Sequence, residues 1–92
     1  MTPQNLLIIM DDEHNKKVLG YNGHPMVKTP NLDRLASRGT IFSNAYTNSP
    51  ICVPARAAFA TGRYVHQNRC WDNAIAYSGN PISWAHVLRD RG

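Results

Sequence analysis

An α/β fold is the class this sequence predicts, and three observations carry that prediction. The segment Asn5-Leu6-Leu7-Ile8-Ile9-Met10 is a continuous apolar run that stops abruptly at Asp11-Asp12-Glu13-His14. Two later stretches, Thr29 to Gly39 and Pro54 to Gly62, carry the start and stop residues of helices. Strand-like and helix-like segments alternate along the chain, as in a sheet covered by helices.

Taken in order, the run 5–10 has the length and Ile content of a strand buried on both faces, the kind found in parallel sheets. Ligand sites in open α/β sheets lie beyond the carboxyl ends of strands. Successive side chains on a strand point to opposite faces. Asp11 and Asp12 therefore share one target only where the strand has ended and the chain turns. Paired hard carboxylates at such a turn are ligands for Ca²⁺ or Mg²⁺, or else simply a solvated acidic turn.

Residues 15–28 contain Gly20, Gly23 and Pro25 and little periodicity, which predicts a loop with at most one helical turn. Thr29-Pro30-Asn31-Leu32-Asp33-Arg34-Leu35-Ala36 then reads as a helix. Thr29 is its N-cap, Pro30 its first turn, Leu32, Leu35 and Ala36 its buried stripe, and Gly39 its stop. Residues 40–47 alternate and predict a second strand. Pro54 suits a first helical position, Ala57 to Ala60 propagate the helix, and Gly62 closes it. Arg63 to Arg69 reads as a polar connection, and 75–80 as irregular. Pro81 to Gly92 predicts a last helix with Trp84, Val87 and Leu88 on one face.

The chain has 92 residues, one domain's worth, with no repeat or low-complexity tract. Its formal charge is +4, from ten Lys and Arg against six Asp and Glu. The basic residues are spread from Lys16 to Arg91 and are not interleaved with stacking aromatics, so no nucleic-acid stripe forms. An anionic small molecule uses the same excess better. No apolar run approaches the roughly 18 residues that span a bilayer. Residues 6–10 are too short for a signal-peptide core, and the sequence reads as cytoplasmic and free of membrane segments. In that compartment Cys52 and Cys70 are expected as free thiols, and they lack zinc-ligand spacing to one another.

The chemistry concentrates at Cys52-Val53-Pro54-Ala55-Arg56. A cysteine at the mouth of a helix stands at the positive end of its dipole, and an arginine one turn inside adds a fixed charge. Both favour an anion or a thiolate there.

These residues resemble a known family. Cys52-x-Pro54-x-Arg56 followed by Thr61-Gly62 is similar to the first signature of the type I sulfatases, in the alkaline phosphatase-like superfamily. Residues 5–10 with Asp11-Asp12 resemble the family's first strand and paired metal-binding aspartates. Thr29 to Ala36 and Gly62-Arg63-Tyr64 fit in the same order. Ala55 and Phe59 depart from the commoner serine and leucine, at positions that carry no chemistry. The resemblance implies an alkaline phosphatase-like, mixed and largely parallel sheet covered by helices.

It also implies that Cys52 is oxidised to formylglycine by a formylglycine-generating enzyme. One hydroxyl of the hydrated aldehyde attacks the sulfur of a small anionic sulfate ester and expels the alcohol; the second then loses its proton, ejecting sulfate and restoring the aldehyde. Asp11, Asp12 and the modified Cys52 hold Ca²⁺, with Mg²⁺ as the less favoured ion, and Arg56 offsets charge on the nucleophile. A Gly-Lys-x-x-His segment and a second pair of metal ligands, which the family carries further on, have no match here. Residues 1–92 are therefore expected to be an incomplete, N-terminal portion of a catalytic domain, inactive by itself.

Trp71-Asp72-Asn73-Ala74 and Trp84-Ala85-His86 are similar to the corresponding region of choline-sulfatases. That makes a small alkyl sulfate a candidate substrate, with sulfated sugars left open, and Asn73 a candidate substrate contact, beside the plainer reading of Asn73 as a turn residue. His66, soon after the nucleophile helix, is a second candidate contact. His24 and His86 are read as loop and helix residues. A phosphonate monoester or phosphate diester hydrolase on the same site, or a non-catalytic remnant with Cys52 unmodified, are the alternatives.

Overall fold

A computed structural model describes residues 5–92. Its elements are a 3-10 turn at Gly20–Asn22 and four α-helices: α1 Pro30–Ala36, α2 Cys52–Thr61, α3 Val65–Asn68 and α4 Trp84–Arg89. They fall into two compact units, Met1–Ser43 and Asn44–Gly92.

Neither expected strand is present among the described residues. The run 5–10 is irregular and exposed, with Leu6, Leu7 and Ile9 each above 80 % accessible rather than buried on two faces. Residues 40–47 are irregular and exposed as well. The physical reason is pairing. A strand exists only against a neighbour that takes its backbone N–H and C=O groups along its length, and no β-ladder is formed among the described residues. The turn expected after the run is present at Asp12-Glu13, where Glu13 takes a left-handed φ of 57°.

In the first unit α1 is shorter than the expected 29–39 helix. Beyond Ala36 the chain winds on in single turns, from Arg38 N–H to the Leu35 carbonyl and from Gly39 N–H to the Ala36 carbonyl. Thr29 stands at the N-cap, but its hydroxyl does not cap the helix. It accepts from Gly20 N–H at 2.8 Å and donates to Asp33 Oδ1 at 2.7 Å, while Tyr21 N–H reaches the same Asp33 oxygen at 3.0 Å. This lock ties the 3-10 turn to α1 and requires a glycine, since a Cβ on Gly20 would lie 2.5 Å from Asp33 Oδ2. The expected stripe is not buried: Leu32 and Leu35 are exposed and Ala36 is half-buried. Leu19 is the unit's one buried hydrophobic residue among those described.

The second unit is built on α2, against which α3 and α4 pack. The helix begins two residues earlier than expected, with Ile51 as N-cap and Cys52 as its first residue. Pro54 is therefore third rather than first, still inside the turn whose N–H groups have no intrahelical partner. Gly62 closes the helix in the left-handed region at φ 64°, its N–H on the Ala58 carbonyl. Pro54, Ala57, Ala58, Asn68 and Cys70 are buried around α2. Phe59 meets Trp84 of α4 edge to face, with ring centroids 6.3 Å apart. The connection 63–69 contains the short helix α3. The last helix is limited to Trp84–Arg89, because Ser83 caps it: the Ser83 hydroxyl accepts from His86 N–H and bonds His86 Nδ1 at 2.6 Å.

Candidate functional site

The site is built from the first turn of α2 outward. A helix start leaves backbone N–H groups without intrahelical acceptors, and each one here can be followed. Ile51 N–H donates to Ser49 Oγ at 3.3 Å, Val53 N–H donates to Asn73 Oδ1 at 2.9 Å, and Pro54 has no N–H. Cys52 N–H is the one donor of that turn without a partner among the described residues. The Cys52 side chain is an exposed free thiol, and Arg56, four residues on and so on the same helix face, is exposed too.

Asn73 reaches the helix from twenty residues away because Asp72 builds the turn beneath it. Asp72 Oδ1 accepts from Ala74 N–H at 2.8 Å and Ile75 N–H at 3.1 Å, which is how aspartate stabilises turns. The Asn73 carbonyl oxygen thus caps α2, and the amide NH₂ remains a donor at the same helix mouth. Asn73 is in the turn that the plainer sequence reading expected, and its oxygen is a helix cap that sequence spacing does not reveal.

His66 is not brought to the cysteine. It stacks on Tyr64, rings 5.8 Å apart and 8° from parallel, beyond the C-terminal end of α2. Cys52 stands at the opposite end, some ~15 Å away along a ten-residue helix. His86 belongs to the cap of α4, and His24 accepts from Val27 N–H at 2.9 Å within its own loop.

In the first unit Asp11 and Asp12 sit at the turn the sequence indicated. Asp11 Oδ2 is hydrogen-bonded to His14 Nδ1 at 2.5 Å, and His14 Nε2 lies 3.0 Å from the Val18 carbonyl. A carboxylate and a carbonyl both accept, so the form satisfying both contacts is the doubly protonated imidazolium. The Asp11 bond, with the Val18 carbonyl adding to it, raises the His14 pKa above the ordinary 6.5. The pair is held below that ordinary value and lost as pH rises through the raised one.

As a metal site the acidic turn has the right donors in insufficient number. Carboxylate oxygens suit a hard cation, but Ca²⁺ takes roughly six to eight oxygens. One of the two carboxylates already holds an imidazolium, and no three His, Cys, Asp or Glu side chains gather around a common point among the described residues. The residues present do not form a complete site for the ion.

Comparison with known proteins covers almost the whole chain. The sulfatase family's model matches residues 4–90. A choline-sulfatase of Rhizobium meliloti (strain 1021) is 42 % identical over 88 residues, 96 % of this chain and 17 % of the relative. Arylsulfatase K of Bos taurus is 36 % identical over 88 residues, covering 96 % of this chain and 16 % of its own length. An uncharacterized sulfatase, YidJ, of Escherichia coli (strain K12) is 39 % identical over 93 residues, all of this chain and 18 % of that protein. The chain therefore spans about one sixth of the length of the curated relatives it matches. No solved structure matches it. With the family's model running from residue 4 to residue 90, and Cys52, Pro54 and Arg56 together on the first turns of α2, the chain belongs to the sulfatase family.

Proposed function

We propose that this chain is the nucleophile-bearing portion of a sulfuric ester hydrolase, with Cys52 the precursor of a formylglycine made by a formylglycine-generating enzyme. The family implies an alkaline phosphatase-like fold, and we assign the runs 5–10 and 40–47 to its sheet. When formed, the formylglycine would supply a hydrated aldehyde: one hydroxyl would displace the alcohol from sulfur, and the other, giving up its proton, would release sulfate and restore the aldehyde.

The observation that carries the proposal is the start of α2, where the cysteine of a Cys-x-Pro-x-Arg sequence is the first helical residue. The positive end of the helix dipole and the partnerless Cys52 N–H favour the oxygens of a sulfate ester at that point. Arg56, one turn along, holds a permanent charge toward the same group. Asn73 fastens the first turn through its oxygen and keeps its NH₂ for a sulfate oxygen. Asp11 and Asp12 are proposed as two of the ligands of a Ca²⁺ ion. A sulfate ester of a small alcohol is the proposed substrate, in line with the choline-sulfatase among the relatives.

Co-production with a formylglycine-generating enzyme tests the central step. The peptide containing Cys52 is expected to lose the thiol and gain an aldehyde, read by its mass and by capture with a hydrazide probe; Cys52→Ala is expected to capture none. A Cys52 peptide that stays entirely a thiol under those conditions would remove the proposal. For the protein that carries this chain, turnover of an aryl sulfate well ahead of an aryl phosphonate is the expected substrate preference, and the reverse order would reassign it.

A further inference from the structure

The far end of α2 carries a second collection of anion-binding groups. Just past Gly62 the chain forms a concavity of about 550 Å³, lined by Arg63, Gln67, Asn68, Arg69, Ser78 and Asn80, with no Asp or Glu among its lining residues. That volume is in the range of small-molecule pockets.

Four of its polar side chains, Arg63, Gln67, Asn68 and Arg69, offer donors to it. Neither the Arg63 nor the Arg69 guanidinium is engaged in an ion pair or hydrogen bond with the described residues, and both are exposed. Two of the three lining amides, Gln67 and Asn68, have their acceptor ends occupied. Gln67 Oε1 accepts from Tyr64 N–H at 2.9 Å and Asn68 Oδ1 from Cys70 N–H at 3.0 Å. A backbone N–H can only donate, so each amide must turn its oxygen inward and keep its NH₂. Asn68 is 6 % accessible, and its Nδ2 is buried without a partner. Buried donors are ordinarily satisfied, and an exception asks for a ligand or water.

Arg69 adds an independent sign. It closes α3 in the left-handed region at φ 60°. Glycine takes that conformation at no steric cost, whereas a side chain there is strained. The strained residue is one of the two guanidiniums facing the pocket.

We infer that this pocket is an accessory site for a tetrahedral oxyanion, a sulfate or phosphate group, held by Arg63 and Arg69 with the Gln67 and Asn68 amides behind them. Arginine's planar fork suits two oxygens of such a group at once. The cavity leaves room beyond the anion for the alcohol to which it is esterified. The site is separate from Cys52, at the opposite end of α2, and it does not depend on the chemistry proposed for that residue.

The test is a nitrogen–proton NMR titration of the 92-residue chain with sodium sulfate and, separately, with butyl sulfate, against sodium chloride at matched ionic strength. Saturable shifts of the Asn68 side-chain amide and of backbone signals at 63–69 and 78–80 are expected, with half-saturation on the order of 1 mM. Chloride should give only linear drift. Tighter saturation by inorganic sulfate identifies a free-ion site, and tighter saturation by butyl sulfate an ester site. Arg63→Gln with Arg69→Gln is expected to abolish the saturable shifts, while unchanged signals of Ala57, Ala58 and residues 84–89 report that the second unit of the variant remains folded. Linear drift with both sulfates in the unmodified chain would overturn the proposal. So would saturation confined to Cys52–Arg56.

Discussion

A single oxygen of Asn73 is what Val53 N–H has in place of water, and the effect of losing it is calculable. Removing an N-cap acceptor costs about 0.5–2 kcal/mol, so Asn73→Ala is expected to lower the unfolding free energy of the second unit by about 1 kcal/mol. Asn73→Asp keeps the oxygen and adds a negative charge at the positive end of α2, so its stability should equal or exceed that of the parent. The same substitution places an anion where a sulfate ester is proposed to dock and removes the NH₂ donor, so it should weaken substrate capture. Denaturant unfolding of the two variants separates these roles. Equal destabilisation by both would mean that the 2.9 Å contact to Val53 contributes nothing as a cap. The cap was hidden in the sequence because its partners are twenty residues apart, whereas Asp72's turn-forming tendency was open to view.

At the scale of elements, α2 is the part that sequence described best. Its alanine run, its terminal glycine and the placing of Arg56 one turn from Cys52 are all local properties, and all are present. Its start was misplaced by two residues because proline is as acceptable at the third helical position as at the first. The two expected strands failed for the opposite reason. Residues 5–10 and 40–47 have strand composition, but strand structure is a property of a pair, and composition does not supply the partner. The short helix α3 escaped notice because four residues, only one of them apolar, are too few to carry a periodicity. What holds α4 to α2 was also illegible, since Phe59 and Trp84 are 25 positions apart and read separately as one helical residue each. Their edge-to-face contact predicts a coupling energy of about 0.5–1 kcal/mol in a double-mutant cycle of Phe59→Ala and Trp84→Ala, at the modest end because both rings are about half exposed. Strictly additive losses would show that α4 is held by something other than this ring pair.

For the molecule as a whole, magnitudes decide what these residues can do unaided. Enzymes lower their barriers by about 8–23 kcal/mol, and one well-placed donor to a developing oxyanion contributes about 2.7–4 kcal/mol. The start of α2 offers Arg56 and the Cys52 N–H, which together reach at most the lower edge of that range. The acidic turn supplies two carboxylates, one of them hydrogen-bonded to His14, where a calcium ion takes six to eight oxygens. Even weak extracellular calcium modules, with fuller ligand sets, have dissociation constants of about 10⁻⁴–10⁻³ M. Calorimetric titration of the 92-residue chain with CaCl₂ is therefore expected to show no saturation below about 1 mM, and Asp11→Asn with Asp12→Asn should leave the isotherm unchanged. The same preparation, carrying the aldehyde at position 52, should release no sulfate from an aryl sulfate above the rate in buffer. Micromolar calcium binding abolished by the double substitution would show that the acidic turn completes its own site within these residues. Measurable turnover abolished by Arg56→Ala would show that the start of α2 supplies more transition-state stabilisation than two donors can account for.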